Sequence, residues 1–179
     1  MAQMGSKLFR AGALTLPRLL SITLSICTYL TMVLGAYVKA IGAGMACPEW
    51  PSCEGGSFVP NLGDPLVAAE ITHRVAASLV TVCGVALLAL LVLRYRSERE
   101  LIALTVLAGI TLGVQIGLGA VTISSTLHPL VVTAHLGVAT LFFALSLIVA
   151  LKCWRLPARR SPAPGPASSA PVPPGGSPQ

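Results

Sequence analysis

Residues 65–93 read PLVAAEITHRVAASLVTVCGVALLALLVL. From Val75 to Leu93 the run carries no charge, and as a helix it is long enough to cross a bilayer, which takes roughly 20 residues. Its entry, by contrast, holds Glu70, His73 and Arg74, with the helix starting near Leu66. An imidazole in hydrocarbon is costly unless something binds it, so a histidine placed there marks function. Three further runs have the same character, at 19–38, 101–121 and 129–151. The chain is 54% hydrophobic and 10% charged, with a mean hydropathy of +0.81. Such a composition belongs to a polytopic membrane protein. The predicted fold is an all-α membrane protein, a four-helix transmembrane bundle with short connections between antiparallel neighbours.

The first run is too long for the 7–15-residue apolar core of a signal peptide, although Lys7, Arg10 and Arg18 precede it. Lys and Arg placement sets the expected orientation. Lys7, Arg10 and Arg18 precede helix 1. Arg94, Arg96 and Arg99 fill the 2–3 connection, and Lys152, Arg155, Arg159 and Arg160 follow helix 4. The 1–2 loop has Lys39 against Glu49, Glu54 and Asp64, and the 3–4 connection at 122–128 has no charge. Both termini are therefore predicted cytoplasmic, and the net charge of +6 is mostly this signal. No clustered basic face on a soluble domain suggests nucleic acid. The organisation reads as an N-terminal arm at 1–18, the bundle at 19–154 and a Pro/Ala/Ser-rich tail at 155–179. The tail's composition predicts disorder.

Glu70, His73 and Arg74 form a Glu-x-x-His-Arg run, and residues three and four apart share a helix face. Counted from Pro65 and Pro129, His73 and His135 lie about 12 and 9 Å into the membrane from the same side. Two histidines at one depth on facing helices suggest one shared ligand, and haem iron is the ligand that fits them best. A lone histidine would instead suggest a structural interhelical hydrogen bond. Zinc would need third and fourth ligands at that level. His128, one heptad before His135, falls at the membrane surface and reads as accessory.

Cys47 and Cys53 flank Pro48-Glu-Trp-Pro-Ser52 in the 1–2 loop, an easy span for a disulfide on a side that permits one. A structural staple and a redox role are both open. Cys27, Cys83 and Cys153 read as small buried hydrophobes. Gly109, Gly113 and Gly117 form a small-residue ridge expected to allow close helix contact. Gln115 is expected to make an interhelical hydrogen bond.

Taken in order, these segments resemble one family. Gly35-Ala-Tyr-Val-Lys and Gly42-Ala-Gly-Met-Ala-Cys-Pro-Glu-Trp-Pro-Ser-Cys53 look like the first outer loop of haem A synthases, the cytochrome oxidase assembly family. Glu70-Ile-Thr-His-Arg74 resembles the family's second-helix motif. Gln115-Ile-Gly-Leu-Gly-Ala-Val-Thr122, followed by His135, resembles its third and fourth helices. The likeness covers residues 35–145.

The resemblance implies a membrane oxidoreductase that converts the methyl group of haem O, through a hydroxylated intermediate, to the formyl group of haem A for terminal oxidase assembly. His73 and His135 would be axial ligands of haem iron, with haem b as cofactor and haem O as substrate. Glu70 would be the catalytic carboxylate, and Arg74 would pair with a propionate or with Glu70. Cys47 and Cys53 match the loop cysteines. Family members usually have eight helices in two related halves, whereas this sequence supplies one such half. That difference predicts a homo-oligomer. Haem O synthase and terminal oxidase subunits are further expected partners. The rival readings are a bis-histidine b-type cytochrome that only passes electrons and a non-catalytic haem carrier. A thiol–disulfide oxidoreductase is more distant, because the pair is not Cys-x-x-Cys.

Overall fold

The computed structural model describes residues 15–53, 55–56 and 61–156. Most of the arm and nearly all of the tail lie outside these residues. Within them the chain forms α1 (Leu16–Ala40), a short 3-10 turn (Ala43–Met45), α2 (Pro65–Arg94), α3 (Arg99–Ser124) and α4 (Pro129–Trp154). The four spans expected from the sequence are all present. Each runs past its apolar stretch, so α1 begins at Leu16 and takes in Arg18, the last residue of the expected arm.

Local chemistry explains the starts. Proline occupies the first turn of α1, α2 and α4, where its missing N–H costs no helical hydrogen bond. Asp64 caps α2, its side chain accepting from the Leu66 N–H at 2.8 Å. The helices have 25, 30, 26 and 26 residues. At 1.5 Å per residue each is longer than a hydrocarbon core of about 30 Å. Large apolar side chains such as Leu79, Val82, Val85, Ile110, Leu130 and Leu151 point outward. Apolar residues on every side of long helices suit a lipid surround, and the protein is a multi-pass membrane protein.

Helix α1 is the hub, packing on α2 and on α4; α3 packs on α4, while the neighbours α2 and α3 touch much less. A stripe of small polar residues lets α1 sit close to its neighbours. Ser21, Ser25 and Thr28 are buried, and their hydroxyls donate to carbonyls of α1 itself. No polar atom of the stripe is thereby left facing hydrocarbon. The apolar core is built from Leu24, Leu87, Leu91, Leu101, Val149 and Cys153 with their neighbours. All of these lie toward the end of the bundle where α1 begins and α4 ends. The opposite end, beneath the 1–2 and 3–4 connections, holds the histidines and is organised by polar contacts.

Arg18 closes the apolar end. Its side chain is buried, donates to the Leu156 carbonyl at 2.8 Å and lies over the Trp154 ring at 5.4 Å. Removing this donor strands a buried carbonyl, a loss of about 1–3 kcal/mol. Arg18→Met should therefore lower the thermal unfolding midpoint in detergent. An unchanged midpoint would show that the contact contributes nothing to stability.

Candidate functional site

His73 and His135 project from α2 and α4 toward the interior at the loop end, both half-buried. The His73 ring is set against α1. Its Nδ1 lies 3.1 Å from the Thr31 carbonyl oxygen, which can only accept, so Nδ1 carries the proton and Nε2 keeps a lone pair. Gly35, one turn beyond Thr31, makes this approach possible. A Cβ there would come within 2.8 Å of His73 Cε1.

His135 meets a side chain instead of backbone. The Gln115 amide nitrogen of α3 is 3.3 Å from His135 Nε2, the interhelical bond expected for Gln115. His135 Nδ1 and Gln115 Oε1 are buried without a hydrogen-bond partner among the described residues. Gly119, one turn from Gln115, also borders the ring, where a Cβ would lie 3.5 Å from Cε1. His128 is the exposed residue preceding α4 and makes no side-chain cap bond.

Glu70, one turn above His73, and Arg74, the residue after it, hold the 1–2 loop. Glu70 is 4% exposed; one oxygen pairs with Arg74 at 2.5 Å and the other accepts the Cys47 N–H at 2.8 Å. The Arg74 guanidinium also donates to the carbonyls of Cys47, Ser52 and Glu49, at 2.8, 2.8 and 3.0 Å. Arg74 thus pairs with Glu70, one of its two expected partners, and the loop carbonyls were not foreseen. Cys47 and Cys53 are buried and joined as a disulfide.

Within the loop, Glu49 accepts from Gly56 N–H at 3.0 Å, Ser52 Oγ at 3.1 Å and Gly55 N–H at 3.3 Å. Led by the Gly56 bond, these hold its carboxyl below the ordinary glutamate value. The 3–4 turn abuts the same loop. Leu127, at φ +60°, sits where a Cβ on Gly44 would meet its side chain at 3.2 Å. The two connections therefore meet over one end of the bundle.

The structure departs from the sequence expectation at the glycine ridge and at two cysteines. The Gly109, Gly113 and Gly117 ridge does not mediate close contact within the bundle. These glycines are exposed, and nothing described lies within 4 Å of a Cβ built on any of them. The spacing put them on one face, but that face is turned away from the core. Of the free cysteines, Cys153 is buried, whereas Cys27 and Cys83 are only half-buried. A shallow cleft between the loop and α3, lined by Pro48, Trp50, Ala120, Val121, Ile123 and Ser124, contains neither histidine.

The donor set fits haem. Two imidazoles face one interior, His73 has its tautomer fixed by a backbone carbonyl, and Gly35 leaves room beside that ring. At His135 the Nε2 nitrogen is taken by the Gln115 amide, which a metal there would displace. Thr31, Gly35 and Gly119 were not singled out in the sequence as neighbours of the histidines. The i, i+4 spacing of Thr31 and Gly35 was the one available signal. Gly35→Ala should push the His73 ring off Thr31 and cut haem uptake by the purified protein at least severalfold, read from the Soret absorbance. Full uptake in this variant would contradict the assigned packing.

Residues 18–70 and 64–171 match the family described as cytochrome oxidase assembly protein. Among curated relatives, the Heme A synthase of Bacillus pumilus is 32% identical over 139 residues, covering 75% of this chain and 44% of that protein. The Heme A synthase of Symbiobacterium thermophilum is 48% identical over 59 residues, 33% of this chain and 19% of that protein. A Halobacterium salinarum protein named Protoheme IX farnesyltransferase is 36% identical over 133 residues, 73% of this chain and 28% of that protein. The chain thus spans less than half the length of these relatives.

Proposed function

The chain belongs to the cytochrome oxidase assembly protein family, and from that premise we propose that it acts as a haem A synthase, oxidising the methyl group of haem O to the formyl group of haem A. The observation that carries this reading is the pair His73 and His135 at one end of a membrane-spanning bundle, with the His73 tautomer fixed by Thr31. His73 and His135 would hold haem iron. A bound haem b cofactor supplies electron-transfer chemistry, and the protein's part is to orient and electronically tune it. Haem O is the substrate.

Glu70 is the proposed catalytic carboxylate. It stands one turn from His73, is buried, and is positioned on both oxygens by Arg74 and the Cys47 N–H. There it would hold or move a proton at the carbon being oxidised. Arg74 has the second task of fixing the disulfide loop above the site. A bound propionate would have to compete with four existing partners for its guanidinium. The Lys and Arg distribution supports cytoplasmic termini.

The test is to supply the purified protein with haem O, an electron donor and oxygen, and to look for formyl haem by mass. Product should appear, and it should vanish in His73→Ala and His135→Ala. In Glu70→Gln, which keeps an oxygen for the Cys47 N–H, product should fall about a hundredfold, typical of a lost acid–base group. A Soret band without product would support the b-type cytochrome instead. Haem that exchanges freely without product would support the carrier.

The proposal extends to a homo-oligomer. One histidine pair serves one iron, and a reaction with both cofactor and substrate haem needs two pairs. The outward ridge of Gly109, Gly113 and Gly117 supports a second copy packing there, since backbones approach closely at small residues. Gly113→Leu should shift the detergent-solubilised protein toward monomer in light scattering without unfolding it. An unchanged mass distribution would remove the ridge as the interface.

A further inference from the structure

Two features set His135 apart from His73. The partner of His73 is a helix carbonyl, which cannot turn away, whereas the partner of His135 is the side-chain amide of Gln115. The bond also falls on the other ring nitrogen: Thr31 takes His73 Nδ1, but Gln115 sits 3.3 Å from His135 Nε2. An amide nitrogen only donates, so the Nε2 lone pair is the acceptor and the ring proton resides on Nδ1. That Nδ1 is buried without a partner, as is Gln115 Oε1. The pair is therefore one hydrogen bond short on each side. A single neutral hydrogen bond is weak in net terms, so the Gln115 amide holds Nε2 loosely enough to yield it to a metal.

We propose that Gln115 is a positioning residue that competes with haem iron for His135 Nε2, making the haem held by this histidine releasable. The inference rests on the haem-binding reading above. Nε2 has one lone pair, which can bind the Gln115 amide or a metal but not both. While haem is absent, the amide holds the ring in place. When haem enters, the amide gives up the nitrogen, and when the ligand bond breaks it reclaims it. Gly119, on the same face of α3, borders the imidazole. A substrate haem has to leave as product, so a ligand with a built-in competitor suits this position, whereas His73 carries none. Each ligand bond at His135 then breaks against a waiting partner rather than against an empty site.

Purified protein loaded with ferric haem b, and its Gln115→Leu and Gln115→Met variants, would be mixed with excess apomyoglobin, and haem loss followed at the Soret band. Both variants should lose haem about threefold to tenfold more slowly, the range set by one lost competing hydrogen bond. Their spectra should shift toward the six-coordinate low-spin form. In a His135→Ala background, Gln115→Met should change nothing. A loss rate in Gln115→Met that is unchanged or faster overturns the proposal, as does an equal effect with and without His135. Gln115→Met is close to glutamine in length, and its elution in detergent reports its folding independently of haem. If the unsubstituted protein itself shows no Soret band, the haem-binding reading fails. A Soret band in every variant with equal loss rates sinks the Gln115 inference alone.

Discussion

The loop end of this bundle is held by one guanidinium. The apolar core lies toward the other end, so packing alone does not secure the 1–2 loop over the histidines. Arg74 does so by donating to the Cys47, Glu49 and Ser52 carbonyls while pairing with Glu70. Hydrogen bonds to charged groups contribute about 1.5–3 kcal/mol each, roughly twice a neutral bond. Lysine could not reproduce this set, because a single ammonium lacks the planar fork that reaches several acceptors at once. Glu70 completes the arrangement. Its second oxygen takes the Cys47 N–H, so acid and base both grip the segment that the disulfide closes.

This clamp ties the disulfide to the histidine. Cys47 is bonded through its N–H to Glu70, and Glu70 is one helical turn from His73. A change in the loop at Cys47 would reach both Glu70 and Arg74, which are bonded to that residue. The staple and redox readings of the cysteine pair therefore converge on the same physical path. Neither reading needs the cysteines to touch the site directly.

Much of the architecture was legible from composition and charge alone. Uncharged runs of spanning length fix the four helices, since a bilayer leaves no other place for them. The helix ends were less legible. Hydropathy treats Arg18 as a stop, but the structure buries it against Leu156 and Trp154, which lie far off in sequence. The glycine ridge shows a second limit: spacing says which residues share a face, but not whether that face meets a neighbour. The site was legible in its side chains and not in its backbone. Glu70, His73, Arg74, Gln115 and His135 could all be named from the sequence. The Thr31, Cys47, Glu49 and Ser52 carbonyls could not, because every residue has a carbonyl and only the fold says which are presented.

The two histidines differ in how their second nitrogen is treated, and that difference follows from which helix each one faces. His73 faces α1, the hub, whose position is fixed on both sides by α2 and α4. A carbonyl on such a helix is a rigid acceptor, so the ring it holds keeps one tautomer and one orientation. His135 faces α3, which packs on α4 but only lightly on α2 and presents a glutamine rather than backbone. A side-chain amide can rotate about its own bonds, so it specifies the ring only while nothing stronger competes. Rigidity on one helix and adjustability on the other is an arrangement in which a planar ligand between them keeps one attachment while the other opens.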